Sequence, residues 1–191
     1  MNLELFDKLM KEKPFQYKPE WWMFLSICEL YLKRYEIDNP VVVELGSQMG
    51  RQKRFWKKLL NAEHIGIDVT DERGVPDILG DTQDPKTLET LKDKLNGRSI
   101  NILFIDACHY YGAVKRDFQI YSPLCSDIVA LHDIESYRYK DKKTRVWKFW
   151  DELKLDIHKG MNGYRDSLIL SIHEHRDHNL GIGLLIKRKI K

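Results

Sequence analysis

Residues 41–50 read VVVELGSQMG, and this stretch decides how the rest of the chain is read. Its first half is apolar and β-branched without polar alternation, the pattern of a strand buried on both faces. Its second half carries Gly46 and Gly50, and glycines at a strand-to-helix turn permit positive φ and close approach of a ligand to the backbone. A strand of that kind needs partners, and similar runs follow at 64–69 (HIGIDV), 77–79 (DIL), 100–105 (INILFI) and 127–131 (DIVAL). Helical segments separate them. Residues 51–60 set Phe55 with Leu59 and Trp56 with Leu60 at helical spacing. Asp84-Pro85 caps and starts a helix that Asn96-Gly97 ends. Residues 111–121 put Val114, Phe118 and Tyr121 on one face, and 144–157 put Val146, Trp150, Leu153 and Ile157 on one stripe.

Upstream, Pro19-Glu20 opens a helix reaching about Tyr35, and Asp38-Asn39-Pro40 stops it. Downstream, 167–172 and 181–186 read as a closing pair of strands joined by a polar loop. Apolar strands alternating with amphipathic helices predict a doubly wound α/β domain, a largely parallel sheet with helices on both faces. Residues 1–38 are expected to form an N-terminal helical lid on a core of 39–191, all in a single domain. Such sheets bind ligands beyond the carboxyl ends of their strands, so the functional residues are sought there.

The 191 residues suit one domain and are short for two. With 32 basic and 29 acidic side chains the formal charge is only +3, too mild to argue for nucleic acid, and no basic stretch carries interleaved aromatics for stacking bases. The three cysteines (Cys28, Cys108, Cys125) are odd in number and form no CxxC pair, which predicts a reducing, cytoplasmic setting. No apolar run approaches the ~20 residues that span a bilayer. Residues 1–15 mix acids and lysines through their apolar positions and do not read as a signal peptide.

The first strand leads into Glu44-Leu45-Gly46-Ser47-Gln48-Met49-Gly50. The glycine spacing departs from the GxGxxG that holds a pyrophosphate on helix amides. An acid two residues before the first glycine would repel a diphosphate and suits a ligand bearing an ammonium or sulfonium. Asp68 ends the second strand, where an acid accepts hydrogen bonds from a ribose diol. Asp81 follows the third, in reach of an adenine amino group.

VVVELGSQMG, HIGIDV, ILGD, INILFIDACHYYGAVKRDFQIYSPL and IVALHDI, in this order, resemble class I S-adenosylmethionine-dependent methyltransferases. The resemblance is nearest to the branch of cephalosporin hydroxylase-like and macrolide-sugar O-methyltransferase proteins, and covers residues 41–153. It implies a Rossmann-like seven-stranded sheet whose last strand runs antiparallel, with Glu44, Gly46, Ser47 and Gly50 around the methionine part, Asp68 on the ribose and Asp81 on the adenine side. Two departures, Gln48 for a frequent glycine and Arg51 for a small residue, are expected to narrow the cofactor pocket. The implied function is methylation of a hydroxyl on a small sugar-like or natural-product acceptor. The rival readings are a catalytically silent binding module and, lower, a nucleic-acid methyltransferase.

At the reaction end, Asp106 closes the fourth strand with His109 three residues on, and His132-Asp133 closes the fifth. Neighbouring parallel strands deliver these four to one mouth, where carboxylates and imidazoles serve acid–base work or hold a divalent cation. In the related metal-dependent enzymes the two carboxylates match Asp106 and Asp133, which implies Mg2+ held by Asp106, His132 and Asp133. A metal-free alternative uses His132 or His109 as the base. Three further clusters read as solvated surface first: His173, His175 and His178, whose functional reading is a metal site; the basic run 140–148, whose functional reading is an anionic acceptor; and Arg51, Arg54 and Lys58 with the tail 187–189. Trp21, Trp22 and Phe24 read as core before they read as a roof on the ligand pocket.

Overall fold

The computed structural model describes residues 1–71, 76–135, 143–159, 167–173 and 180–187. Seven strands form one sheet: β1 (Val41–Leu45), β2 (Glu63–Asp68), β3 (Ile78–Leu79), β4 (Ile100–Ile105), β5 (Cys125–His132), β6 (Leu168–Ile172) and β7 (Ile182–Ile186). Their order is β3-β2-β1-β4-β5-β7-β6. The five strands from β3 to β5 run parallel. The last, β7, lies antiparallel between β5 and β6. The doubly wound sheet with one reversed final strand is therefore present. Its order turns back between β1 and β4, so the crevice at that switch point opens over the residues that follow these two strands, Gly46 and Asp106.

Strand alternation divides the core into two layers. Val41, Val43 and Leu45 face Leu91, Phe118 and Trp150 from α4 (Pro85–Leu95), α5 (Tyr111–Tyr121) and α6 (Val146–His158). Val42, Ile102 and Phe104 face Phe6, Trp21 and Trp56 from α1 (Leu3–Met10), α2 (Lys18–Arg34) and α3 (Lys53–Leu59). On this second face Trp21 packs edge-on, 5.2 Å from Trp56 and 5.5 Å from Phe104 between ring centroids. Trp21 and Phe24 are thus fully buried core. Burial of that area, ~25 cal/mol per Å² of apolar surface, holds α2 to the sheet.

Helix caps follow their local chemistry. The Asp84 side chain accepts from the Lys86 amide, and Asn96 ends α4 with φ 46° in the left-handed region. Helix α1 falls within the expected helical segment 1–38 but is not delimited there, because its charges obscure the stripe of Phe6 and Leu9, which are buried against the core. Strand β5 extends beyond 127–131 at both ends, so His132 stands on the strand and Asp133 turns away from it with φ 62°.

Candidate active site

Two cavities of about 510 and 500 Å³ meet over the ends of β1 and β4 and share Gly46, Gln48, Asp106 and Ala107 as their common wall. One is bounded by Asp68, Thr70, Asp81 and Thr82. The other is bounded by Gln16, His109, His132 and Asp133, with Phe15 and Tyr17 beside them. Each lies within the range of small-molecule pockets, roughly 300–1,000 Å³.

The turn after β1 forms the shared wall. The Gly46 amide donates to the Ile67 carbonyl at 2.8 Å, and its φ of +85° and contact with the Asp106 backbone admit no side chain. Three expected cofactor residues stand away from both cavities. Glu44 shares the face of Val42, so alternation carries its carboxylate under α3. There it accepts from Trp56 Nε1 at 3.3 Å and meets His64 Nε2 at 2.6 Å, with no exposed surface. Burial raises its pKa, and Asp77 together with Glu44 raises that of His64 against its burial. That placement keeps the carboxylate out of the lining of both cavities. Ser47 packs on Gly66 of β2, and Gly50 closes the turn by donating to the Ser47 carbonyl at 2.7 Å. Gln48 borders both cavities, but Arg51 does not narrow them. Its guanidinium donates to the Lys13 carbonyl at 2.6 Å and lies over the Phe15 ring, tying down the segment between α1 and α2.

Asp68 lies where a ribose acid is expected. Its Oδ2 accepts from the Gln48 amide at 2.7 Å, and its Oδ1 accepts from the Thr70 amide and hydroxyl, both at 2.9 Å. A carboxylate has about four lone-pair positions, so one remains for a ligand hydroxyl. Asp81 is exposed at the same cavity, and its Oδ1 accepts from the Gln83 amide. Behind this turn Thr82 donates to Asp117, a fully buried acid on α5 whose Oδ2 has no partner. Burial pushes the Asp117 pKa up to about 6. An acid raised in the folded state binds more protons there than when unfolded, so its contribution to stability falls as pH rises from about 4 through 6. Between pH 4 and pH 7.5, Asp117→Asn is expected to gain about 2–3 kcal/mol relative to the unsubstituted protein in urea unfolding. Parallel pH profiles would refute this.

The four residues expected at the reaction end form a closed ring. Asp106 Oδ1 faces His132 Nδ1 at 3.1 Å and His109 Nε2 at 3.3 Å, and His109 Nδ1 faces Asp133 Oδ2 at 3.0 Å. His132 Nδ1 lies 3.4 Å from Asp133 Oδ1, which closes the circuit. Burial would lower the His132 pKa, but Asp106 and Asp133 hold it up at about 9. Burial would raise that of Asp106, yet His132 and His109 bring it down to about 2. Burial pushes Asp133 up, and Asp106 with Asp133 raise His109 against its burial. Within the ring, His132 Nε2 and Asp133 Oδ1 are buried with no hydrogen-bond partner. Among the described residues the group whose ligand atoms lie within 4.8 Å of one another is Asp106, His109 and Asp133. His109 thus takes the place expected of His132, whose Nδ1 is committed to Asp106.

Gln16 was not foreseen. Its Nε2 donates to Asp106 Oδ2 at 3.2 Å and its Oε1 is buried without a partner. No local pattern marks it, because the contact joins positions 90 residues apart. The backbone also fixes His109: its carbonyl accepts from the Arg145 amide at 2.8 Å, beside a bridge between Tyr110 and Thr144. Within the basic run, Lys148 lies over the Tyr111 ring, while residues 140–142 are outside the described residues. Arg54 pairs with Glu12, and Lys187 caps the carbonyls of Ser122 and Cys125. His173 approaches Glu135 at 4.0 Å, and His175, His178 and the tail beyond 187 fall outside the described residues.

Comparison with solved structures adds the fold's relatives. The MycE methyltransferase of the mycinamycin biosynthetic pathway, in complex with Mg, S-adenosylhomocysteine (SAH) and mycinamycin VI, matches 95% of this chain at 18% identity with a TM-score of 0.63. A crystal structure of a putative caffeoyl-CoA O-methyltransferase from Staphylococcus aureus matches 98% of this chain and 93% of its own at 16% identity, TM-score 0.60. The O-methyltransferase from Bacillus cereus in complex with SAH matches 98% and 92% at 13% identity, TM-score 0.55. The fold is that of the class I methyltransferases. In this methyltransferase fold the paired cavities occupy the switch point of the sheet. The chain spans about half of the MycE chain (53%). No protein-family model matches it. Over 70 residues, 36% of this chain and 7% of the other, it is 33% identical to an uncharacterized protein, y4gI, of Sinorhizobium fredii.

Proposed function

We propose that the protein binds S-adenosylmethionine across the paired cavities and transfers its methyl group to a hydroxyl of a small-molecule acceptor. The observation that carries this reading is the junction of the cavities at Gly46, Gln48, Asp106 and Ala107, with Asp68 and Asp81 on one side and the acid–imidazole ring on the other. Asp68 and Asp81 would hold the nucleoside, and the Gly46 turn would hold the methionine part, which would bring the methyl group to the cavity of Asp106 and Asp133. Fold relatives solved with SAH, among them MycE and the Bacillus cereus enzyme, support the choice of cofactor. No helix among the described residues is long and apolar enough to cross a membrane, which agrees with an acceptor taken from solution.

In the transfer, the acceptor oxygen attacks the methyl carbon in line. The sulfur–carbon bond breaks, its electron pair stays on sulfur, and SAH leaves as a neutral thioether. The hydroxyl proton needs a base. His132 is unsuited to that role, because its Nδ1 faces Asp106 and its neighbouring carboxylates keep the ring protonated at neutral pH. Asp133, on the cavity wall, takes the proton, and Asp106 holds both imidazoles in place. The donor set of Asp106, His109 and Asp133 also fits a divalent cation, since one ligand atom from each lies within 4.8 Å of the others. When bound, such a cation would polarise the acceptor oxygen as a Lewis acid.

Titration calorimetry with SAH tests the cofactor assignment: saturable binding is expected, and no heat at sub-millimolar SAH removes the proposal. Asp68→Ala is expected to weaken SAH by about 5- to 150-fold, the ~1–3 kcal/mol of a lost buried polar contact. An unchanged dissociation constant would show the ribose to lie elsewhere.

A further inference from the structure

We infer that the side-chain carbonyl of Gln16 receives the ammonium group at the amino-acid end of the cofactor. The inference rests on the proposed binding of S-adenosylmethionine and names the residue that reads its amino group. The acid expected for that task is placed elsewhere. Glu44 lies under α3, engaged by Trp56 and His64, and lines neither cavity. Among the described residues the reaction cavity is lined by no lysine or arginine, and its wall includes Gly46 and three glutamines, Gln16, Gln48 and Gln52. A primary amide carries both N–H donors and an acceptor oxygen, the set that a zwitterion needs.

The orientation of Gln16 is fixed by chemistry. Its Nε2 donates to Asp106 Oδ2 at 3.2 Å. An ionised carboxylate only accepts, so the amide nitrogen must face Asp106, and the carbonyl oxygen is left for another donor. That oxygen is buried without a hydrogen-bond partner, in a side chain 7% exposed. Buried polar atoms are paired in the great majority of cases, so this one calls for a donor from outside the chain. Asp106 presents its Oδ1 to both imidazoles and its Oδ2 to the neutral Gln16 amide, which leaves the less compensated part of its charge on the glutamine's side. A cationic donor is favoured there over a neutral one, and the ammonium is the one positive group of SAH. The segment that carries Gln16 is held from outside the cavity. Arg51 donates to the Lys13 carbonyl at 2.6 Å and lies over the Phe15 ring, and Arg54 pairs with Glu12. A receptor fixed in this way loses little freedom when the ligand arrives.

The test is calorimetry on the full chain with SAH and with methylthioadenosine, which keeps the nucleoside and the thioether but lacks the amino-acid end. Gln16→Leu is expected to weaken SAH by at least about tenfold, the loss of a hydrogen bond to a charged group, and to change methylthioadenosine by less than about twofold. A packing role would move both ligands together, so the ratio of the two affinities is the readout. The unsubstituted protein gives a second measurement with the analogue of SAH that lacks only the amino group. That analogue is expected to bind at least about tenfold more weakly than SAH, and Gln16→Leu to close most of the gap. Equal affinity of SAH and the deaminated analogue for the unsubstituted protein would overturn the inference, whether or not the variant folds. So would an equal loss of SAH and methylthioadenosine in Gln16→Leu, no loss of either, or a gap that persists at full size in the variant. If SAH does not bind the unsubstituted protein, the cofactor assignment fails and this inference with it. If SAH binds but its amino group goes unread by Gln16, this inference alone fails.

Discussion

Gly46→Ala is expected to remove more than about 3 kcal/mol of stability and to eliminate measurable binding of SAH. A Cβ at this position would lie 2.2 Å from the Asp106 carbonyl oxygen, 2.6 Å from its carbon and 2.7 Å from the Ala107 Cα. All three are backbone atoms, so no change of rotamer relieves the overlap. The φ of +85° adds strain for any residue with a side chain. Relief requires the ends of β1 and β4 to part where the Asp106 amide donates to the Leu45 carbonyl at 2.9 Å. Such a shift would also displace the Asp106 side chain from its imidazole partners. Urea unfolding and calorimetry read the two effects. Gly112→Ala serves as the control, since nothing lies within 4 Å of its Cβ position in α5. Equal stability of Gly46→Ala and the unsubstituted protein would show that the turn has room the structure denies it.

Asp106→Ala is expected to cost about 3–5 kcal/mol, because it leaves two imidazoles without their common anion in a buried site. Its carboxylate is within hydrogen-bond reach of Gln16, His109 and His132 together. The pH dependence carries the signature. The His132 pKa is raised to about 9, so its pairing contributes fully below the unfolded value of about 6.5 and is lost as pH rises through 9. In chelator, the stability gap between Asp106→Ala and the unsubstituted protein should therefore be widest near pH 6 and narrow as pH passes 9. A gap of constant size across this range would assign the loss to packing instead of charge.

Much of the architecture is legible in local patterns. The runs at 41–45 and 100–105 match β1 and β4 at both ends, because a β-branched run bounded by turn residues has few other conformations open to it. Helix α5 begins and ends where its apolar stripe does, at Tyr111 and Tyr121. Helix α1 is not delimited because only two of its eight residues, Phe6 and Leu9, are buried, and these anchors are meaningful only once α3 is in place.

Of the candidate site, the addresses were readable and the orientations were not. A residue that follows a parallel strand must arrive at the crevice, which is why Gly46, Asp68, Asp81, Asp106 and Asp133 all line the cavities. Glu44 precedes the end of β1, and its direction depends on the register that sets it beside Gly66 and on the Trp56 ring above it. A period of two allows either face, and the neighbours decide.

From the chain's own order of residues came the largely parallel sheet and the list of positions that reach its open edge, since these follow from short-range periodicity and turn chemistry, whereas its reversed last strand was implied by the family resemblance. The tertiary structure alone decided that Gln16 reaches Asp106, that His109 and not His132 completes the trio, and that Arg51 clamps the segment joining α1 to α2 instead of filling the cavity. Those choices are contacts between segments distant in sequence. They depend on three-dimensional packing, which no local pattern encodes.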